Sequence, residues 1–274
     1  MQKNSVSSQV LSLVVFASVS CVTVQALIPS SPAEQTRRAI QSIKKAIQQG
    51  NRRLYVDYLI PLPPETKAED IDPWPGGLAQ QYPYAQDIVA EILQGVVDQA
   101  SEAKCSQTIL SRSDCCGFFI QESATSAKED VAAILFPGVD QMDQIEHIDK
   151  MVGPNRTLLL LNRQWKQPAD FGFDKGRAQK QIFQRYQWGF AFQELVCRGE
   201  DVKLTFEHPL WNSCVICDED VDKGTQEIAL LDPQPDRPVY LDLEQRINEV
   251  LPEPLWMRKM GEAERKGFKF QRGQ

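Results

Sequence analysis

The stretch from Val131 to Leu161, VAAILFPGVDQMDQIEHIDKMVGPNRTLLLL, decides the fold. Val131 to Phe136 is a continuous apolar run stopped by Pro137-Gly138, and Thr157 to Leu161 is a second such run. Between them Met142, Ile145, Ile148 and Val152 recur at spacings of three and four, which is one face of a helix. Strands without polar alternation are buried on both faces, and strands separated by helices run parallel in a sheet covered on both sides.

Outward from this unit the same signals repeat. Ser31-Pro32-Ala33-Glu34 reads as a helix start, with Ser31 as N-cap, Pro32 at the first helical position and Glu34 completing a capping box. The stripe Ile40, Ile43, Ile47 extends that helix to Gln49, and Gly50 ends it. Leu54, Val56, Tyr58 and Ile60 alternate along a strand from Arg53 to Ile60, closed by Pro61, Pro63 and Pro64. A second helix carries Ala85, Ile88, Val89, Ile92, Leu93 and Val96. Short strands are expected at Gln107 to Leu110 and Gly117 to Ile120. A helix follows around Gln179 to Gln187, then a hairpin of Trp188 to Cys197 and Val202 to Glu207 about the turn Arg198-Gly199-Glu200-Asp201. An acidic loop from Asp218 to Asp222 and a helix near Leu241 to Val250 close the domain. The expected fold class is α/β: a three-layer Rossmann-like central sheet, mostly parallel, with antiparallel edge strands.

Lys3, the apolar run from Val10 to Val24 and the small residues of Val24-Gln25-Ala26 form a secretory signal peptide over residues 1–26. Residues 27–254 then read as a single α/β domain and 255–274 as a basic C-terminal tail. Ser12, Ser18, Ser20 and Thr23 make the signal's run too polar for a membrane span, and no later segment comes closer.

The formal net charge is −7, which disfavours duplex nucleic acid as a partner. Basic residues nevertheless cluster at Arg156, Arg163, Lys166, Lys175, Arg177, Lys180 and Arg185, and again in the tail, where an anionic partner would dock or where a solvated face would lie.

Motifs of catalysis are absent: no phosphate loop, no G-x-G-x-x-G after a strand, no G-x-S-x-G elbow and no H-E-x-x-H. His147 and His208 are the only histidines; His147 falls on a solvated helix face, and no serine or cysteine is spaced to partner His208. Cys214-Val215-Ile216-Cys217 invites zinc, but Val215 and Ile216 suit an extended strand that sends the two sulfurs to opposite faces. We therefore expect no catalytic residues, no metal and no cofactor. In doubly wound sheets ligands gather beyond the carboxyl ends of the strands, where Gly138, Asn162 and Arg163 are candidates for binding an anion or simply turn and cap the chain. Trp74-Pro75-Gly76-Gly77 holds a tryptophan in a stiff segment, either as an anchor for a partner or as a plug of the domain's own core.

A helix ending in Gly50, the strand Leu54-Tyr55-Val56-Asp57, the loop Asp72-Pro73-Trp74-Pro75-Gly76-Gly77 before a helix and Phe136-Pro137-Gly138 after a strand resemble a domain-of-unknown-function family of cyanobacteria, algae and plants. That family includes the plastid low-photosystem-II-accumulation proteins and an extension of a plastid adenylate kinase. The resemblance covers most of residues 31–250. It implies an α/β domain, residence in the plastid and, for some members, assistance in assembling a photosystem II subunit; it implies no catalytic residues. Leu27-Ile28-Pro29 after Ala26 resembles the arrangement in algae with secondary plastids, where a secretory signal precedes import; secretion or endoplasmic-reticulum residence is the alternative, with Asn155-Arg156-Thr157 as a glycan acceptor.

The expected function is that of a non-enzymatic plastid accessory or assembly factor for the photosynthetic apparatus, docking on a photosynthetic membrane protein or an anionic thylakoid surface. Trp74, Pro75, Gly76, Gly77, Arg163, Lys166 and Arg177 are the candidate docking residues. The alternatives are a nucleotide- or phosphate-binding enzyme using the sheet's carboxyl edge and a secreted disulfide-bearing protein.

Overall fold

The computed structural model describes residues 28–63, 66, 74–99, 105–220, 225–254, 257 and 260, with backbone alone for 217–220 and 225–231. The signal peptide, Asp72, Pro73, the Cys217 side chain and, apart from residues 257 and 260, the basic tail lie outside the described residues.

The two apolar runs are β4 (Val131–Leu135) and β5 (Thr157–Leu161), buried along their whole length, with α3 (Met142–Val152) between them. They pair in parallel, Val131 beside Thr157 and Leu135 beside Leu161. β1 (Arg53–Asp57) lies parallel on the far side of β5, and β6 (Gln187–Cys197) parallel beside β1. On the β4 side, β3 (Cys116–Gln121) and the edge strand β2 (Ser106–Ser111) are antiparallel. Beyond β6, β7 (Glu200–Glu207), β8 (Leu210–Asp220) and β9 (Thr225–Gln234) continue antiparallel. The nine strands form one mixed sheet, in the order β2-β3-β4-β5-β1-β6-β7-β8-β9.

Three of the eight strand pairings are parallel, so the sheet is not mostly parallel as expected. Parallel strands need a long crossover, whereas β6 to β7 and β7 to β8 are joined by two residues each and can only turn back. The expected acidic loop is also corrected: Asp218, Glu219 and Asp220 belong to β8 and pair with Glu227, Gln226 and Thr225 of β9. Backbone pairing with a long neighbour outweighs the poor strand propensity of three acidic residues in a row.

Alternation along the parallel strands fills two cores. On one face Leu54, Val56, Ala133, Leu135, Leu159 and Leu161 pack under α1 (Pro32–Gln48) and α2 (Gly77–Val96), through Ile43, Val89, Ile92 and Leu93. On the other, Tyr55, Ala132, Ile134, Leu158 and Leu160 meet Met142, Ile145 and Ile148 of α3 and Ala178 of the short helix α4 (Lys175–Ala178). A third core joins the antiparallel strands to α5 (Tyr240–Val250) through Leu204, Trp211, Leu243 and Ile247.

Local departures have local causes. Ser31 caps α1 by accepting the Glu34 amide at 3.2 Å, but Glu34 reaches back to the Ser30 amide at 2.8 Å rather than to Ser31. β1 stops at Asp57, short of Ile60, because the Asn162 side chain takes the place of a ladder partner: its Oδ1 accepts the Tyr58 amide at 2.6 Å and its Nδ2 donates to the Tyr58 carbonyl at 2.8 Å. The helix expected over Gln179 to Gln187 is present but shorter: Gln179–Phe183 is a π-helical turn continuing α4, in which the Gln184 amide reaches back five residues to the Gln179 carbonyl at 3.0 Å, and Gln187 already belongs to β6.

Candidate functional site: a cleft at the carboxyl edge of the parallel strands

Tyr55 and Asp57 alternate with Val56 and so share the face of β1 that carries α3 and α4. The neighbouring strand contributes Trp188, brought beside Tyr55 by a bulge: Tyr55 pairs with Trp188, Val56 with Phe190, and Gly189 is the extra residue. A Cβ on Gly189 would stand 3.2 Å from Leu54, so this close approach of β6 to β1 favours glycine. After β5 the chain turns at Asn162, φ +50, and Arg163 crosses back over β1.

Together with the segment after Arg163 and the turn before β6, these residues enclose a cleft of about 590 Å³. Its polar floor is a chain of contacts. Arg163 Nη1 lies 2.9 Å from Asp57 Oδ1, and the Gln193 amide nitrogen donates to Asp57 Oδ2. Gln193 Oε1 in turn accepts from Arg237 Nη2 at 2.9 Å and Nε at 3.2 Å. Above the floor the Arg163 guanidinium lies over two rings, 4.4 Å from the centre of Tyr55 and 4.6 Å from that of Trp188. Tyr186 stacks on Tyr55 at 5.5 Å, and Trp165 and Phe183 complete the aromatic wall. At the mouth Lys166 is exposed, while Glu194 is held by Lys203.

Burial sets the electrostatics. It raises the Asp57 carboxyl above the usual range despite the opposing pull of Arg163 and Gln193. It also pushes the Tyr55 and Tyr186 phenols upward, so both keep their protons at neutral pH. Arg237 is exposed as a residue, yet desolvation in the cleft lowers its guanidinium pKa; Asp57 opposes this and the like charge of Arg163 adds to it. Four buried polar atoms along the cleft, Tyr55 Oη, Arg163 Nε, Trp165 Nε1 and Tyr186 Oη, have no hydrogen-bond partner.

Of the residues singled out from sequence, only Arg163 and Lys166 line this cleft. Gly138 donates its amide to Gln141 Oε1 at 2.7 Å and Asn162 holds Tyr58, so both act in shaping the chain. Trp74 is half-buried on the opposite face of the sheet, against the α1 and α2 core and edge-on to Tyr84 at 5.5 Å; Pro75, Gly76 and Gly77 are exposed beside it. Arg177 is clamped between Asp143 and Glu146 of α3, 2.6 Å from each. Cys214 sits buried in extended β8, and no group of three or more His, Cys, Asp or Glu side chains among the described residues converges as a metal would need.

Sequence reasoning missed Tyr55, Asp57, Trp188, Gln193 and Arg237. Gly189 was the available signal, since an isolated glycine in a strand marks a bulge or a close backbone approach. No local pattern announces Arg237, 44 residues from Gln193.

The fold and cleft define an α/β protein with a mixed nine-stranded sheet and a cleft at the carboxyl edge of its parallel core. Residues 29–245 match the family described as domain of unknown function (DUF1995), and the chain belongs to that family. No curated protein and no solved structure matches it.

Proposed function

We infer that the chain is a non-enzymatic plastid accessory factor for the photosynthetic apparatus, related to photosystem II, that docks on an anionic thylakoid surface or the membrane protein within it. Its parallel core, with helices on both faces, is read as a Rossmann-like three-layer scaffold for that docking. One observation carries the reading: the basic segment separates into two sets. Arg156, Arg163, Arg177 and Arg185 face Asp130, Asp57, Glu146 with Asp143, and Asp149 respectively. Lys166, Lys175 and Lys180 are exposed and carry no ion pair among the described residues, and Phe173 among them is fully exposed. Exposed lysines around an aromatic side chain suit a negatively charged membrane surface. Binding rather than catalysis is favoured because Asp57, the acid at the floor of the cleft, has both carboxylate oxygens engaged. Among the described residues no helix is long and apolar enough to cross a membrane, which fits peripheral attachment.

Expression of the full chain with a C-terminal fluorescent tag in an alga with a secondary plastid tests the location, and fractionation tests the attachment. Each lysine near an anionic surface contributes about 1 kcal/mol, so replacing Lys166, Lys175 and Lys180 by glutamine is expected to weaken thylakoid association about 100-fold, with high salt mimicking the change. Secretion of the tagged chain, or association that ignores both salt and the triple substitution, overturns the reading.

A further inference from the structure

We propose that the cleft is a small-molecule site for a planar aromatic anion, a ring system bearing one carboxylate or phosphate group. Three independent observations lead there. The first is charge. Arg163, Lys166 and Arg237 face the cleft with Asp57 and Glu194, but Asp57 is matched by Arg163 and Glu194 by Lys203. Lys166 and Arg237 carry no ion pair among the described residues; Arg237 rests on the neutral oxygen of Gln193, where Asp57 attracts its charge more than Arg163 repels it. An incoming anion would give both cations a direct charged partner.

The second observation is shape. Tyr55, Tyr186 and Trp188 form an aromatic cluster, Tyr186 stacked on Tyr55 at 5.5 Å and Trp188 tilted to it at 5.6 Å, and the Arg163 guanidinium already stacks on Tyr55 and Trp188. A flat ligand ring is the natural further layer on such a surface. The third is the excess of donors. Arg163 Nε, Trp165 Nε1 and the Tyr55 and Tyr186 hydroxyls are buried and unpartnered, and all four can donate. Burying unsatisfied donors is unfavourable, and a ligand rich in acceptor oxygens would satisfy those it reaches. The volume of about 590 Å³ falls within the range of roughly 300–1,000 Å³ typical of small-molecule sites. The position, beyond the carboxyl ends of β1 and β5, is where open sheets with parallel strands bind ligands.

The test is titration of the purified full chain with four probes: adenosine 5′-monophosphate, indole-3-acetate, adenosine and inorganic phosphate, followed by tryptophan fluorescence and thermal melting. At least one of the two probes that combine ring and anion is expected to bind, with a rise in melting temperature, at least tenfold more tightly than adenosine or phosphate alone. Arg237→Gln is expected to weaken that binding at least tenfold; Lys166→Gln, at an exposed position, is expected to weaken it several-fold. A preference for adenosine 5′-monophosphate assigns the anion as phosphate, and one for indole-3-acetate as carboxylate. No binding by either combined probe at 10 mM, or binding that both substitutions leave intact, overturns the proposal. Lys166 is shared with the docking face, but neither refuting result bears on Lys175 and Lys180, which do not line the cleft.

Discussion

Removal of the Asp149 carboxylate is expected to be among the most damaging single changes in the molecule. Asp149 sits near the end of α3, 8% exposed, with Arg53 Nε on Oδ1 and Arg185 Nη1 2.5 Å from Oδ2. Arg53, also 8% exposed, bolts three elements together at the amino end of the parallel core. Its Nη1 donates to the carbonyls of Arg52 at 3.0 Å and Arg156 at 2.8 Å, and its Nη2 donates to that of Gly153 at 2.5 Å. Breaking a buried pair by removing one partner costs about 3–5 kcal/mol, because the other charge is left without compensation. In Asp149→Ala the carbonyls still solvate Arg53, and Arg185 turns to solvent, so the lower end, about 3 kcal/mol, applies. For a domain of this size that corresponds to a fall in melting temperature of about 6–12 °C. Arg53→Met is expected to cost more, about 4 kcal/mol, since it strands the Gly153 and Arg156 carbonyls as well. The double variant should fall short of the sum by about 1–3 kcal/mol, the signature of a coupled pair. Urea unfolding of the full chain, followed by tryptophan fluorescence, measures all three. A loss below 1 kcal/mol for Asp149→Ala would refute the argument, and would mean that water from the adjoining cavity of about 360 Å³ already solvates Arg53.

Two further outcomes are expected. Burial, with the nearby Asp114 charge adding, pushes the Cys116 thiol up to about 12, and burial raises Cys214 to about 11 against the opposing charge of Arg38. An unfolded thiol ionises near 9, so these groups stabilise the fold fully below pH 9, and their contribution is lost as pH rises from about 9 toward 11–12. Urea midpoints measured from pH 8 to pH 11 should therefore fall, and the slope should lessen in Cys116→Ala/Cys214→Ala; a slope unaltered by the double substitution would sink the assignment. At Asn162, φ +50, Asn162→Ala strands the Tyr58 amide and carbonyl and places alanine in the left-handed region, for about 2–4 kcal/mol together. Asn162→Gly keeps the turn and loses only the hydrogen bonds; if both variants are equally unstable, the backbone argument fails.

What was legible in the sequence is what short-range pattern encodes. The burial of β4 and β5 is written in Val131 to Leu135 and Thr157 to Leu161 themselves, and α3 between them in the spacing of Met142, Ile145 and Ile148. The pairing partners of β8 were not legible, because Asp218, Glu219 and Asp220 carry a loop's composition and are strand only by virtue of β9. The strand β1 looked longer than it is for a similar reason: Tyr58 continues the alternation, and only the side chain of Asn162, 104 residues away, shows that its backbone is already bonded elsewhere.

The basic segment makes the same point about function. Read along the chain, Arg163, Lys166 and Arg177 form one patch of positive charge. Their roles differ because of acids that lie far off in sequence, Asp57 at a separation of 106 residues and Glu146 at 31. The sorting follows side-chain chemistry. Each of the four arginines from Arg156 to Arg185 faces an acid, where a planar guanidinium can bridge elements and keep its charge, whereas the lysines, whose compact ammonium is strongly hydrated, stay in water. A run of mixed arginine and lysine is therefore better read as two populations from the outset: the arginines point to acids still to be found across the fold, and the lysines mark its solvated face.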